Sequence, residues 1–352
     1  MSPRARARVL LVGYGSAGRG IHAPLLARAG AAPSVVVTSS PARVAQVHAD
    51  LPGALVVPTL EGALAGGGLD LAVIASPSGV HAANALACLA AGVPVVVDKP
   101  LATTATGART VVAAARDAQV PLTVFQNRRW DAEHRTLAGL LATGDDGPIG
   151  AVHRFERRWE RWRPVPKDRW RENAPAAEGG GILLDLGSHL VDSAVDLFGP
   201  VSSLYAELAA RSTPAEDEIF LALQHVGGVH SHLGASSLAA APGPRTRVLG
   251  SRAAYVVTTF ESEAHAFGGF DDLPGHTGWL VTGSERHPVP TAEGGHGDYY
   301  PAVLNALAHR GFQARQAALP VDPLGAVHVL AVLDAARVSA AERRVVPLAG
   351  AV

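Results

Sequence analysis

Residues 9–18 read Val9-Leu10-Leu11-Val12-Gly13-Tyr14-Gly15-Ser16-Ala17-Gly18. An apolar run suited to a buried parallel strand leads into three glycines spaced G-x-G-x-x-G, and a helix-compatible segment follows. In a dinucleotide-binding turn the first glycine permits the sharp bend, the second leaves room for a pyrophosphate, and the third lets helix and strand pack closely. The phosphates then lie at the positive end of a helix. The pattern therefore predicts a dinucleotide site at Gly13, Tyr14, Gly15, Ser16, Ala17 and Gly18; the alternative is an ordinary tight turn.

The alternation of strands and helices continues from this stretch to about Phe125. Apolar strand candidates lie at 9–12, 35–38, 55–57, 71–75, 93–97 and 122–125. Helix candidates begin near Ser16, Pro41, Leu60, Gly79 and Thr103. Such alternation with fully apolar strands is typical of a parallel sheet covered on both faces. Residues 1–125 are therefore predicted to form an α/β domain, a doubly wound Rossmann fold.

The second half of the chain has a different pattern. Strand candidates follow one another from about Val201 to Val289 without helices between them, and helical segments near 299–310 and 323–341 close the sequence. Consecutive strands favour an antiparallel sheet. Residues 126–352 are predicted to form an α+β domain with a largely antiparallel open sheet, whose last helix is a candidate to pack back on the first domain.

Composition excludes several classes of protein. The 352 residues carry a net charge of −1 with scattered Lys and Arg, which argues against a nucleic-acid surface or a polybasic membrane patch. A single cysteine, Cys88, rules out a disulfide framework within the chain and fits a reducing compartment. The N-terminal apolar run is too short for a signal peptide, and no later segment is expected to reach the length of a membrane span. We expect a cytoplasmic protein with no nucleic-acid or membrane partner.

Three short segments bear on the cofactor. The region after the second strand reads Thr38-Ser39-Ser40-Pro41-Ala42-Arg43, without the acidic residue that binds the ribose of NAD. Hydroxyls and Arg43 suit a 2′-phosphate, so NADP is favoured and NAD is the alternative. A simpler interpretation is a helix cap followed by a solvated arginine. The Ser76-Pro77 turn lies where a cofactor passes, and His81 is either a cofactor contact or a plain helix-surface residue.

Two polar segments are candidates for catalysis. Lys99, between Asp98 and Pro100 at a strand end, can stabilise negative charge on a substrate oxygen, or it simply ends the strand in solvent. Asp185 and His189 are four residues apart, so a carboxylate can orient an imidazole that acts as general base. The alternative is a capping aspartate and a core histidine. No third ligand is spaced for a metal site, so none is predicted.

Aromatic and basic residues are concentrated after the first domain. Asn127-Arg128 follow the sixth strand, and Trp and Arg alternate with Glu from Phe155 to Glu172. Such side chains suit sugar rings and hydroxyls, and they equally suit an oligomer interface. A platform for single-stranded nucleic acid is disfavoured by the interleaved carboxylates. Asn127 and Arg128 mark the exit from the first domain, and Trp170 lies within the aromatic segment.

Taken together, these motifs resemble the Gfo/Idh/MocA family of NAD(P)-dependent oxidoreductases over essentially the whole chain. The resemblance rests on the glycine turn, Ser76-Pro77 with His81, Asp98-Lys99-Pro100 (Glu-Lys-Pro in the family), and Gly179-Gly180-Gly181 through His189. The segments at Asn127 and Trp170 look like the branch that contains NADP-linked scyllo-inositol dehydrogenases. This likeness implies that substrate is bound by Asn127, Arg128, Trp170, Asp185 and His189. The resemblance implies that Lys99, Asp185 and His189 are catalytic, and that Ser76, Pro77, His81 and Lys99 contact the cofactor.

The resemblance implies an NADP(H)-preferring enzyme that moves hydride between the nicotinamide and a secondary alcohol or ketone of a polyol, cyclitol or sugar. It also implies a homodimer or homotetramer formed through the C-terminal sheet. Two alternatives remain open. One is a family member that reduces an imine, dihydrodiol or dicarbonyl; the other is a dinucleotide-binding sensor without turnover.

Overall fold

The chain divides into two compact units. The computed structural model describes residues 7–259 and 269–348, apart from the side chains of Trp170 and Arg171. The first unit holds the described residues up to Gln126 together with His296–Val327, and the second unit holds the rest. The predicted domains, 1–125 and 126–352, differ from this division because residues 296–327 group with the first unit.

A parallel sheet forms the centre of the first unit. Its strands are β1 (Val9–Val12), β2 (Val35–Val37), β3 (Leu55–Val57), β4 (Leu71–Ile74), β5 (Val95–Asp98) and β6 (Leu122–Phe125). All neighbouring strands are parallel and run in the order β3-β2-β1-β4-β5-β6. The predicted Rossmann fold is confirmed. Since the strand order reverses between β1 and β4, ligands of this fold bind beyond the carboxyl ends of these strands.

Helices cover this sheet and begin where the sequence supplies suitable residues. They are α1 (Ala23–Arg28), α2 (Pro41–Asp50), α3 (Leu60–Ala65), α4 (His81–Ala90) and α5 (Ala105–Ala118). The Thr59 hydroxyl accepts from the Gly62 amide at 3.2 Å at the start of α3, and Thr104 caps Gly107 in the same way at 3.1 Å for α5. A π-helical turn, Gly18–His22, precedes α1. It places the first helix directly after the glycine turn.

The second unit is built on a mixed sheet. Its strands are β7 (Val152–Glu160), β8 (Val201–Ala209), β9 (Glu218–His225), β10 (His230–Ser236), β11 (Thr246–Gly250), β12 (Ala254–Val257), β13 (His276–Thr282), β14 (Glu285–Pro290) and β15 (Val346–Pro347). They run in the order β14-β13-β12-β11-β7-β10-β9-β8-β15. The β7–β10 pair is parallel and the other printed pairs in the described residues are antiparallel. The predicted antiparallel character is confirmed.

Six further α-helices follow in the part of the chain that the structure describes. They are α6 (Ala132–Leu141), α7 (Trp170–Asn173), α8 (Ser188–Phe198), α9 (Tyr299–Leu307), α10 (Phe312–Ala318) and α11 (Pro323–Glu342). Helix α11 is long and apolar enough to cross a membrane by length and composition, so the expectation that no segment reaches that length is wrong. Leu330, Val332 and Leu333 on it are at most 1% exposed. Other positions of the same helix are open, since Leu324 is 44% and Val338 is 40% exposed.

Candidate functional site

The glycine turn after β1 has two crowded positions and one open one. Gly13 has φ +96°, and a Cβ there would lie 2.7 Å from the Ala75 carbonyl oxygen. A Cβ on Gly18 would lie 2.1 Å from the Gly13 carbonyl oxygen. At Gly15 the nearest atom to such a Cβ is Nη2 of Arg43, 3.9 Å away. The turn therefore has the close packing and the free space that a pyrophosphate needs, and a dinucleotide fits these residues.

The other residues of the turn differ in how far their side chains are exposed. Tyr14 is 1% exposed and its hydroxyl donates to Asp50 at 3.1 Å; burial and this bond raise the pKa of Tyr14 to about 12. Nε of Arg19 donates to the same carboxylate at 2.6 Å. Tyr14 thus offers a cofactor its backbone, whereas Ser16 is exposed and Ala17 half-buried at the start of the helix. Asp50, the first acidic residue after β2, is engaged with these two side chains.

Hydroxyls and one cation follow β2. Thr38 is buried, Ser39 is exposed, and Ser40 precedes α2 without a capping hydrogen bond from its side chain. Arg43 is exposed and makes no hydrogen bond or ion pair with any residue that the structure describes. Its guanidinium reaches back towards the open position at Gly15. Of these groups, the structure shows the Arg43 guanidinium next to the glycine turn.

His81 is buried between two backbone turns. It is 1% exposed, with Nε2 at 2.7 Å from the Ser76 carbonyl oxygen and Nδ1 at 2.8 Å from that of Pro100. The interpretation as a helix-surface residue is therefore wrong. Both ring nitrogens are engaged by protein carbonyls, so His81 acts on the site by joining the Ser76-Pro77 turn to the segment that carries Lys99. Burial lowers the pKa of His81, and the Asp98 charge opposes this.

Lys99 follows β5 and is 9% exposed, so the alternative of a lysine in solvent is wrong. Its amide donates to Oδ1 of Asp98 at 2.8 Å. Oδ2 of Asp98 lies 3.6 Å from Nε2 of His22, whose Nδ1 is 2.6 Å from the Tyr300 hydroxyl. Burial would raise the pKa of Asp98, but the His22 ring and the charges of Lys99 and His81 together outweigh it, so the pKa lies below its usual value. Neither His22 nor Tyr300 was predicted from the sequence.

In the second unit, Asp185 and His189 lie on consecutive helical turns. Asp185 belongs to a π-helical turn, Leu183–Gly187, which continues directly into α8. The glycine run before it allows close backbone approach, since a Cβ on Gly180 would lie 1.9 Å from the Ala174 carbonyl oxygen. His189 is 8% exposed and stacks on Trp159, with 5.7 Å between ring centroids and 29° between planes.

Three arginine side chains surround the Trp159 ring beside His189. The guanidinium carbons of Arg128, Arg161 and Arg245 lie 4.8, 5.2 and 5.1 Å from the indole centroid. The indole is 3% exposed, so it supports the histidine instead of presenting an open face to a sugar. Arg128, predicted to bind substrate, also pairs with Asp131 at 3.2 Å. Arg245 is likewise paired, with Glu133 at 3.3 Å.

A pocket in the same unit contains Asp185. Arg161, Arg163, Ser212 and Ser237 are among the residues that line it. Asn127, the other predicted substrate residue, is half-buried at the start of the 3₁₀ turn Asn127–Trp130. The side chain of Trp170 lies outside the described part of the structure. No group of three or more metal-ligating side chains occurs among the residues described.

Two carboxylates of this region were not predicted from the sequence. Asp192 and Asp196 follow His189 on α8, and both carboxylates are bonded to Arg129. The spacing of Asp185, His189, Asp192 and Asp196 along one helical face is the sequence signal that could have indicated them.

Comparison with known proteins identifies the family to which the chain belongs. Residues 7–126 match a family model for the oxidoreductase family with an NAD-binding Rossmann fold, and residues 137–256 match one for the GFO/IDH/MocA C-terminal domain. The chain is 35% identical to an uncharacterized oxidoreductase of Escherichia coli (strain K12), YdgJ, over 97% of this chain and 99% of that protein. The chain belongs to the Gfo/Idh/MocA family of oxidoreductases.

Two further relatives of this family span nearly the same length. Identity is 30% to the scyllo-inositol 2-dehydrogenase (NADP(+)) IolW of Bacillus subtilis (strain 168), over 97% of this chain and 96% of that one. The structure of yvaA from Bacillus subtilis has a TM-score of 0.84 and 29% identity, covering 99% of this chain and 100% of that chain. The family assignment makes this protein an oxidoreductase whose first unit is an NAD-binding Rossmann domain.

Proposed function

We propose that this protein is an NADP(H)-preferring dehydrogenase or reductase that acts on a secondary hydroxyl or keto group of a polyol, cyclitol or sugar. The observation that carries the proposal is the position of Arg43, whose guanidinium lies beside the open glycine of the turn. A planar guanidinium binds phosphate oxygens through charge-assisted hydrogen bonds. The hydroxyls of Thr38, Ser39 and Ser40 add further donors, and Asp50, held by Arg19 and Tyr14, does not oppose a 2′-phosphate.

The relative IolW supports the substrate class and the cofactor, because it is a scyllo-inositol 2-dehydrogenase that uses NADP(+). The residues around Asp185 agree with it. Serine hydroxyls and arginines line the pocket, and such groups bind the hydroxyls of sugars and cyclitols.

When bound, the dinucleotide supplies the hydride acceptor or donor of the reaction. The protein contributes proton transfer, charge stabilisation and position. In the oxidative direction His189 takes the proton of the substrate hydroxyl. Asp185 orients the His189 imidazole, and its negative charge favours the protonated ring. The family resemblance assigns Lys99 a hydrogen bond to a substrate oxygen, whose alkoxide character in the transition state the ammonium stabilises.

The role of Lys99 is tested by Lys99→Ala in a nicotinamide absorbance assay with inositols, aldoses and their keto forms. Loss of one transition-state donor is expected to lower kcat by at least about 100-fold. Binding of NADPH, followed by fluorescence, shows that the variant is folded. Turnover within about threefold of the wild type would exclude this role for Lys99.

Arg43→Ala tests the cofactor preference. We expect kcat/KM for NADP to fall by roughly 10- to 100-fold, because a charge-assisted pair is lost, while kcat/KM for NAD is unchanged. Arg109→Ala, an exposed arginine on α5, is the matched control and should alter neither. A wild type that prefers NAD would refute the NADP proposal. Tight NADPH binding with no turnover on the panel would favour the sensor or another substrate.

A further inference from the structure

Helix α8 carries three polar side chains along one face. His189, Asp192 and Asp196 are separated by three and four residues, which brings them into one row on an α-helix. On the opposite face of α8, Leu190, Val191 and Ala194 are at most 1% exposed, so the helix is buried there as well. The groups that fix the two carboxylates act on the helical face from which His189 projects.

Arg129 holds both carboxylates. Its Nε and Nη2 donate to the two oxygens of Asp192 at 2.9 and 2.7 Å, and its Nη1 donates to Oδ1 of Asp196 at 2.5 Å. All three guanidinium nitrogens are used in this way. A fork that grips one carboxylate with two bonds and a second with a third fixes direction as well as distance.

The contact continues into the body of the second unit. The remaining oxygen of Asp196 lies 2.8 Å from Nε2 of His134, whose Nδ1 is 2.9 Å from the Ser193 hydroxyl. That hydroxyl accepts from Arg157, and Nη2 of Arg157 donates to Glu133 at 3.0 Å. Helix α8 is thereby bonded to α6 and to strand β7 through one uninterrupted polar network.

Burial makes the arrangement sensitive to the loss of a member. Asp192 is 2% exposed and His134 is 3% exposed, so water does not readily replace a missing partner at these two groups, whereas the Asp196 side chain is 30% exposed. Burial raises the pKa of Asp192, and the Arg129 charge opposes it. Without Arg129 the Asp192 carboxyl would be buried without its cation, and protonation of the carboxyl or a shift of the helix would relieve this cost.

We infer that Arg129 is a positioning residue for His189, acting through its grip on Asp192 and Asp196. The inference rests on the proposed function, in which His189 moves the proton. Ring stacking on Trp159 fixes one side of the imidazole, and the Arg129 network fixes the helix from which the imidazole projects. Small errors in the placement of a proton-transfer group cost large factors in rate.

The kinetic test compares Arg129→Gln, Arg129→Lys and Arg247→Gln. Arg247 makes a bidentate pair with the buried Glu156 on the sheet, at 3.0 and 2.7 Å, and so is the matched control. We expect Arg129→Gln to lower kcat by roughly 10- to 100-fold with a change in KM below about threefold. Lysine, which restores one charged contact, should recover part of the loss. The isotope effect from C4-deuterated cofactor should rise in Arg129→Gln only.

A second readout does not depend on turnover. In protein with ¹³C-labelled histidine, the ring resonance that disappears in His189→Asn identifies His189, and it should shift in Arg129→Gln but not in Arg247→Gln. If the wild type reduces or oxidises nothing, the proposed function fails while this resonance still tests the positioning. Unchanged kcat, isotope effect and resonance in Arg129→Gln, at whatever cost in stability, would overturn the inference.

Discussion

The two units build their functional groups in different ways. In the first unit the decisive features are backbone features: a positive φ at Gly13, a contact of Gly18 with the Gly13 carbonyl, and open space at Gly15. In the second unit the groups around His189 are held by long side chains. Arg129 reaches Asp192 across 63 residues of sequence, and Arg245 reaches Glu133 across 112.

This difference determines what each half should tolerate. A site made of backbone is damaged by one added methyl group, because no side chain can move aside. A site made of buried charges tolerates small changes in shape and is damaged by the loss of one charge, because its partners stay buried without compensation. Single substitutions should therefore damage the two units for different reasons: steric overlap in the first unit and an unpaired buried charge in the second.

The largest effect is expected from Gly18→Ala in the first unit. Its new Cβ would lie 2.1 Å from the Gly13 carbonyl oxygen, a backbone atom that cannot rotate away. We expect a loss of more than about 5 kcal/mol of unfolding free energy, together with loss of NADPH binding. Urea denaturation and cofactor fluorescence measure the two quantities.

Gly15→Ala is the matched control for that substitution. Its Cβ would meet only the end of Arg43 at 3.9 Å, so the protein should keep its urea midpoint. The methyl group occupies space that the pyrophosphate needs, and NADPH binding should weaken by at least about tenfold. Equal loss of stability in both variants would show that the contrast between the open and crowded positions is wrong.

The fold was predictable because its signals are local. Strands β1 and β4 are apolar throughout and fully buried, and the glycine turn between β1 and α1 needs only neighbouring residues. Strand β14 has a weaker signal because it reads Glu-Arg-His-Pro-Val-Pro, and within it Val289 is buried while its neighbours are not. An edge strand with one inward side chain carries little periodic signal.

The candidate site was predictable only in part. Lys99, Asp185 and His189 belong to short motifs, so the sequence alone pointed to them. Arg129 and Glu133 depend on partners that the fold brings together from distant positions, and no spacing in the sequence records those pairs. His81 lay between these cases: its motif was visible, but its burial between two carbonyl groups follows from tertiary packing.

Glu133→Ala should produce the next largest effect. Glu133 is bonded to Arg157 at 3.0 Å and to Arg245 at 3.3 Å, and both guanidiniums are at most 5% exposed. Removing the shared carboxylate leaves two buried cations, which costs about 3–5 kcal/mol by the measured loss of one member of a buried pair. Urea denaturation of the whole chain measures it.

Glu218→Ala is the control for this second prediction. Glu218 pairs with Arg211 on the surface, where both side chains are more than 40% exposed, and solvent screens the pair. Its urea midpoint should not change measurably. If the two variants lost the same stability, the buried ion pairs would contribute no more to the free energy of unfolding than a surface pair. The contrast between the two units would then be wrong.

The acid dependence of stability gives the smallest expected effect. Burial alone would raise the pKa of Glu133, but Arg157 and Arg245 outweigh it and lower the pKa from 4.5 to about 2. Because the folded pKa is depressed, this group stabilises the protein above pH 4.5, and that contribution is lost as the pH falls towards 2. The whole contribution is about 3 kcal/mol, of which about 2 kcal/mol should disappear between about pH 5 and about pH 3.

Glu133→Gln should flatten the fall of the urea midpoint over this interval, whereas Glu293→Gln, at an exposed position, should leave it unchanged. A slope in Glu133→Gln equal to that of the wild type would mean that other carboxylates control the acid limb, and that the charge on Glu133 is not what ties α6 to the sheet.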